Sequence, residues 1–123
     1  MHWEFTPDAP IYIQVVKQFE QMIASGVLAP GDRLLSVREF AVQANVNPNT
    51  MQKAFSELEI RGLVYTKRTS GRFITEDTER IAALKRQLAQ KETDRFFGEM
   101  KRLGYSCKEA ADFISEKAVQ LNG

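Results

Sequence analysis

The sequence predicts a mainly α-helical fold that contains one small β-hairpin and ends in two charged helices. Three observations predict it. Apolar residues recur at helical spacing along most of the chain, residues 63–66 and 72–75 are instead β-branched and aromatic, and two Ser-x-x-Glu capping boxes mark helix starts. The 123 residues fit one compact domain or one small domain with an appendage, and the change to charged helices after the hairpin favours the second. We therefore expect a head over 1–76 and a tail over 77–123.

The best-marked helix lies between Asn47 and Gly62. Asn47 is a good N-cap, Pro48 suits the first helical position, and glycine suits the left-handed residue that follows a helix. Residues at helical spacing give this helix one apolar face, namely Met51, Ala54, Phe55 and Leu58.

The opposite face of this helix begins with polar residues and carries no acid between residues 45 and 56. A helix that reads base edges in a major groove uses its N-terminal residues. Asn and Gln can pair with adenine, and Thr can contact the thymine methyl. The same pattern also fits an ordinary amphipathic surface helix, so the neighbouring elements decide. The polar residues of the first two turns are Asn49, Thr50, Gln52 and Lys53.

Two helices are predicted before it. The first covers 10–25, with a wide apolar stripe that includes Tyr12. Leu34 and Leu35 are then expected to enter the core, and Ser36 opens a second helix through a capping box. This second helix ends near residues 45–46, so only about three residues separate it from the best-marked helix. Two short helices joined in this way form a helix-turn-helix.

A hairpin with a basic loop is predicted after the helix-turn-helix. Residues 67–71 form the loop, and residues 3–5 could add a third strand. A helix-turn-helix followed by such a hairpin is a winged helix. A basic segment on a chain of net charge +1 favours a protein that binds specific nucleic-acid sites over one that binds polyanions without specificity. The alternative is a solvated turn that happens to be basic. The cations of residues 61–72 are Arg61, Lys67, Arg68 and Arg72.

The tail is predicted to form a helix over 77–103 and a final helix opened by Ser106. Its apolar residues are too many for two helices of this size to bury alone. The same patch on a second chain is the simplest cover, which predicts a homodimer; the alternative is that the patch folds back on the winged helix. The residues expected at the dimer interface are Leu88, Phe96, Phe97, Met100, Leu103 and Phe113.

Catalytic, metal-binding and membrane classes find little support in the sequence. One histidine and one cysteine, His2 and Cys107, cannot build a tetrahedral metal site, and no Gly-rich phosphate loop is present. We therefore expect no enzyme activity and no cofactor. No apolar run reaches the length of a membrane span, and the N-terminus lacks the pattern of a signal peptide. A lone cysteine fits a reducing, cytoplasmic setting.

Two segments carry a family resemblance. PGDRLLSVREFA (30–41) and VNPNTMQKAFSELEIRGL (46–63), with PIYIQ (10–14) before them, resemble the DNA-binding domain of the GntR family of bacterial transcription regulators. The short two-helix tail resembles the YtrA-like subfamily. The resemblance implies a homodimer on a two-fold operator in double-stranded DNA, with repression as the usual outcome.

The resemblance also implies which residues contact DNA. They lie after the cap of the second helix, in the turn and recognition helix, and in the wing, and they are Arg38, Asn47, Asn49, Thr50, Gln52, Arg68, Thr69, Ser70 and Gly71. From their places in the predicted elements we add Ser36, Lys53 and Lys67 to the expected DNA-binding residues.

The chain departs from the family pattern at three positions. The family usually has proline at Leu35, glycine at Thr69 and threonine at Arg72, so the wing contact is less well supported than the helix contact. The tail is too short for the ligand domain of larger members. An unidentified small-molecule effector would have to bind at the dimer seam or between tail and head. The alternative function is a winged helix that binds another protein without specific DNA binding.

Overall fold

The computed structural model describes residues 2–121, and it confirms a mainly helical fold with one β-hairpin. The chain forms two compact units, one ending at Lys85 and the other starting at Arg86. The functional boundary expected after residue 76 stays a prediction. The elements in chain order are α1 (Ile11–Ser25), α2 (Val37–Ala44), α3 (Pro48–Ile60), β1 (Val64–Lys67), β2 (Gly71–Ile74), α4 (Thr78–Arg102) and α5 (Cys107–Gln120).

The core of the first unit is built on three phenylalanines, one from each of α1, α2 and α3. Phe19 and Phe40 meet edge to face with ring centroids 5.2 Å apart, and Phe55 lies 5.3 Å from Phe19 at a similar angle. All three rings are at most 1% exposed. This arrangement matches the geometry that aromatic quadrupoles prefer. It fixes α3 against both preceding helices.

The strand expected over residues 3–5 does not form. The Gln18 side chain accepts a hydrogen bond from the Glu4 N–H at 3.1 Å and donates one to the Glu4 carbonyl at 2.7 Å. Side-chain amides of α1 thus take the place of a neighbouring strand. Trp3 packs its ring 5.2 Å from that of Phe19, which explains the apolar residues of this segment.

The third chain segment of the wing comes instead from the loop before α2. Arg33 forms an antiparallel bridge with Phe73, next to the β1–β2 ladder. The Leu34 N–H donates to the Arg72 carbonyl at 2.9 Å. Successive residues of an extended segment point to opposite faces. Leu34 is therefore buried while Leu35 is 38% exposed, and the expectation that both enter the core is wrong for Leu35.

The second unit contains most of α4 and all of α5. A second capping box starts α5, where the Ser106 hydroxyl accepts the Glu109 N–H at 3.1 Å. Met100 and Ala110 are buried, Phe96 and Phe97 are half-buried, and Phe113 is 50% exposed. Beside Phe96 and Phe113 lies an apolar pocket of about 440 Å³. Over residues 2–121, no helix has the length and apolar character that crossing a membrane requires.

Candidate nucleic-acid interface

The start of α3 presents polar side chains to solvent on a rigid base. Asn47 caps the helix by accepting the Asn49 N–H at 2.8 Å, and Pro48 occupies the first turn, which contains no acid. Asn49 and Gln52 are exposed and Thr50 is half-buried. The apolar face of the helix is fully buried beneath them. The polar side chains predicted at the start of this helix are therefore exposed or half-exposed, and the Asn47 oxygen serves as the cap.

The Gln52 amide is held only loosely. Its nitrogen donates to the Ser56 hydroxyl one turn later, at 3.3 Å and on the exposed side of the helix. A long, exposed hydrogen bond of this kind is readily exchanged for another partner. The amide can thus turn to a base edge at little cost.

Lys53 is held by α1. Its ammonium nitrogen lies 3.9 Å from the centroid of the Tyr12 ring, which is within cation–π range. The sequence predicts that Tyr12 belongs to the core stripe of the first helix. The structure shows Tyr12 half-buried, with the Lys53 ammonium over its ring. The pairing joins residues far apart in the chain, so no local pattern could have indicated it.

The start of α2 contributes a capped helix end and one exposed cation. The Ser36 hydroxyl accepts the Glu39 N–H at 3.1 Å, and the Glu39 carboxylate accepts the Ser36 N–H at the same distance. The hydrogen bond from the Ser36 N–H lowers the pKa of the Glu39 carboxyl. The Ser36 hydroxyl keeps its own proton to donate. Arg38 is exposed and forms no ion pair within the described chain.

The wing tip is solvent-exposed and only partly cationic. Arg68, Thr69 and Ser70 are exposed, and the Ser70 N–H closes the turn by donating to the Lys67 carbonyl at 3.1 Å. The Lys67 ammonium lies 5.2 Å from the centroid of the Phe73 ring. Lys67 therefore lies along the hairpin, while Arg68 is free at the tip among the residues that the structure covers.

The basic patch expected over 61–72 is smaller than the sequence indicates. Arg61 pairs with Glu20 of α1 at 2.9 Å, and Arg72 pairs with Glu59 of α3 at 2.9 Å. Thr66 also donates to the Glu59 carboxylate at 2.9 Å. Acids from other elements thus neutralise two of the four cations. Arg72, which departs from the family pattern, ties the wing to α3.

A groove of about 500 Å³ separates the start of α2 from the wing. Two polar residues that the sequence analysis missed line it, because only the fold brings them there. Leu35, Ser36, Glu39, Lys67, Arg68, Gly71 and Arg72 are among the other lining residues. The missed residues are Arg33 and Thr66.

Comparison with known proteins agrees with this geometry. Residues 11–74 match the family described as "Bacterial regulatory proteins, gntR family". The chain is similar to the HTH-type transcriptional repressor YtrA of Bacillus subtilis (strain 168), with 32% identity over 120 residues that cover 93% of this chain and 88% of the relative.

Solved structures show the same relationship. A GntR family transcriptional regulator from Listeria monocytogenes has a TM-score of 0.84 and 38% identity, over 91% of this chain and 98% of its own. AraR(DBD), solved in complex with operator ORR3, has a TM-score of 0.52 and 28% identity, over 61% of this chain and 88% of its own. The family match spans more than half the chain, and the YtrA relative extends over nearly all of it. The chain therefore belongs to the GntR family of bacterial transcription regulators and is similar to its YtrA-like members.

Proposed function

We propose that this protein is a homodimeric repressor that binds a two-fold symmetric DNA operator, with the start of α3 in the major groove. One observation carries the proposal: an acid-free, exposed polar surface at the start of α3 is backed by a fully buried apolar face. A helix fixed in this way can enter a groove with its side chains already oriented. The repressor role is supported by the similarity to YtrA, which is a transcriptional repressor by name.

The side chains divide into two roles. Asn49, Thr50 and Gln52 read base edges, because they are exposed or half-exposed at the helix start and can donate or accept hydrogen bonds. Arg38 and Arg68 hold the DNA backbone from either side, since both are exposed cations with no ion pair in the described chain. Lys53 lies over Tyr12 and contributes charge from a fixed position.

The tail forms the interface with the second protomer. The second unit has fewer than half the residues of the first, yet its described part exposes as many large apolar side chains, among them Leu103 at 73% and Phe113 at 50%. A two-fold dimer would bury the same patch against itself. It would also present two copies of α3 to half-sites about one DNA turn apart, roughly 34 Å, or a multiple of that spacing. The seam that we propose comprises the six tail residues named in the sequence analysis, and Met100 contributes least to it because it is already buried in its own protomer.

The experiment is to select genomic fragments with the purified protein, footprint them, and titrate Gln52→Ala. We expect two protected half-sites. We also expect Gln52→Ala to weaken operator binding by about 1–3 kcal/mol and to relax preference at one base position of each half-site. Gln21→Ala is the matched control, because Gln21 is an exposed glutamine on α1.

Two results would contradict parts of the proposal. Equal losses of affinity for the operator and for random duplex would show that Gln52 contacts the DNA backbone rather than a base. Failure of the wild-type protein to bind heparin or any duplex in a salt-sensitive way would instead favour a protein-interaction winged helix.

A further inference from the structure

We infer that Arg33 binds a DNA backbone phosphate in the groove between the start of α2 and the wing. The inference rests on the proposed DNA binding and adds a residue that the family resemblance did not assign. It follows from the position of the Arg33 backbone, the surroundings of its guanidinium and the charges that line the groove.

The backbone of Arg33 is fixed by the wing on both sides. Arg33 bridges to Phe73, and the flanking hydrogen bonds run from the Ile74 N–H to the Asp32 carbonyl and from the Leu34 N–H to the Arg72 carbonyl, both 2.9 Å. Leu34 anchors the segment in the core at 6% exposure. A cation on such a segment starts from a defined place, so a contact made there costs less ordering entropy.

The guanidinium of Arg33 lies against a bare stretch of backbone at the wing. A Cβ built on Gly71 would lie 3.4 Å from Nε and 3.7 Å from Nη2 of Arg33. Gly71 has φ +105°, a conformation that favours glycine. No side chain at position 71 therefore separates the guanidinium from the wing backbone.

The charges around the groove leave Arg33 without an ion pair. Arg72 is paired with Glu59, and Lys67 lies over Phe73. Glu39, the acid that lines the groove, accepts the Ser36 N–H at 3.1 Å, and the charge of Arg33 is near enough to help lower the pKa of its carboxyl. Arg33 forms no ion pair with any residue of the described chain.

Phosphate is the group whose chemistry fits this arrangement. A guanidinium offers several N–H donors in a planar fork that matches two phosphate oxygens, and the Ser36 hydroxyl at the same groove has a proton to donate. The wing and the start of α2 form the two walls, and both carry residues that we expect to contact DNA. A backbone segment crossing the interface would thus pass over Arg33.

The test compares Arg33→Ala, Arg33→Lys and Lys17→Ala in salt titrations on the operator and on random duplex. Lys17 is the matched control, an exposed cation on α1 beside the N-terminal segment. For Arg33→Ala we expect losses of roughly tenfold per half-site at 0.1 M salt on both duplexes, and a salt slope lower by about 2 for the dimer. Arg33→Lys should restore part of the affinity, and Lys17→Ala should change neither quantity.

A methylphosphonate scan of the operator distinguishes a DNA phosphate from a free anion. A neutral linkage at the contacted phosphate should weaken wild-type binding and leave Arg33→Ala unaffected. Wild-type affinity and salt slope in folded Arg33→Ala, checked by circular dichroism, would overturn the inference. A loss on the operator alone would overturn it too, because Arg33 would then read a base. In either case wild-type operator binding would leave the proposed function standing.

Discussion

The two compact units of this chain begin their helices in the same way and bury their apolar residues very differently. Each contains a complete Ser–Glu capping box, at Ser36 and at Ser106. In the first unit three phenylalanines are at most 1% exposed. In the described part of the second unit only Met100 and Ala110 are buried.

This difference separates local from tertiary stabilisation. Caps and helical periodicity form a helix wherever they occur, but most helical stability in proteins comes from packing of an apolar face. The first unit supplies that packing from its own elements. The second unit leaves Leu103 73% and Phe113 50% exposed, so its own elements bury less apolar surface.

The largest effect should come from removing a core ring of the first unit. Phe55→Ala deletes a side chain at 0% exposure that contacts both Phe19 and Phe40. It should cost about 3–5 kcal/mol of unfolding free energy, because it removes buried surface and leaves a cavity. Urea denaturation at several protein concentrations should show this loss at every concentration.

Phe113→Ala is the counterpart in the second unit. Phe113 is 50% exposed, so the substitution should affect mainly the part of the stability that rises with protein concentration. A concentration-independent loss as large as that of Phe55→Ala would contradict the distinction between the units.

The next effect concerns association. Phe97→Glu places a charge on the half-buried apolar face of α4, and we expect a folded monomer with poor operator binding. Sedimentation of wild type and variant at micromolar concentration measures this directly. Gln90→Glu adds the same charge at an exposed position of the same helix and should leave a dimer. A wild-type monomer that binds its operator tightly would show that the tail does not serve dimerisation.

The smallest effect should appear at the two capping boxes as the pH falls. The hydrogen bond from the Ser106 N–H lowers the pKa of Glu109 from 4.5, as the corresponding bond lowers that of Glu39. A carboxyl whose pKa is lower in the folded than in the unfolded state stabilises the fold at pH values above its unfolded-state pKa. This stabilisation is lost as the pH falls through the folded-state pKa. The window therefore lies below pH 4.5.

Amide exchange in that window should show the start of α5 fraying before the start of α2. Phe40 and Ala41 hold α2 in the core, whereas α5 has Ala110 alone as a buried residue in its described length. Glu109→Gln should abolish the pH dependence at α5, because glutamine can fill the same capping position without titrating. Equal fraying of both helices would show that packing does not protect α2.

The fold and the exposed polar start of α3 could be predicted from the sequence because their signals are local. Asn47, Pro48 and Ser36 act on backbone groups within a few residues, so their capping roles are confirmed as expected. The apolar face of α3 repeats with the helical period and is buried as predicted. The segment at residues 3–5 shows the limit, because its alternating pattern fits a strand but its backbone pairs with the Gln18 side chain of α1.

By itself the sequence determined the helices, the hairpin, the exposed start of α3 and the family, since caps, periodicity and turn residues act over short distances. Only the tertiary structure decided which cations have a partner within the chain. Arg61 meets Glu20 across 41 positions of the chain, Arg72 meets Glu59 across 13, and Lys53 lies over Tyr12. Arg33 reaches the groove through a bridge to Phe73. Such pairings depend on how helices and strands pack. Packing brings together residues whose spacing along the sequence follows no helical or strand periodicity.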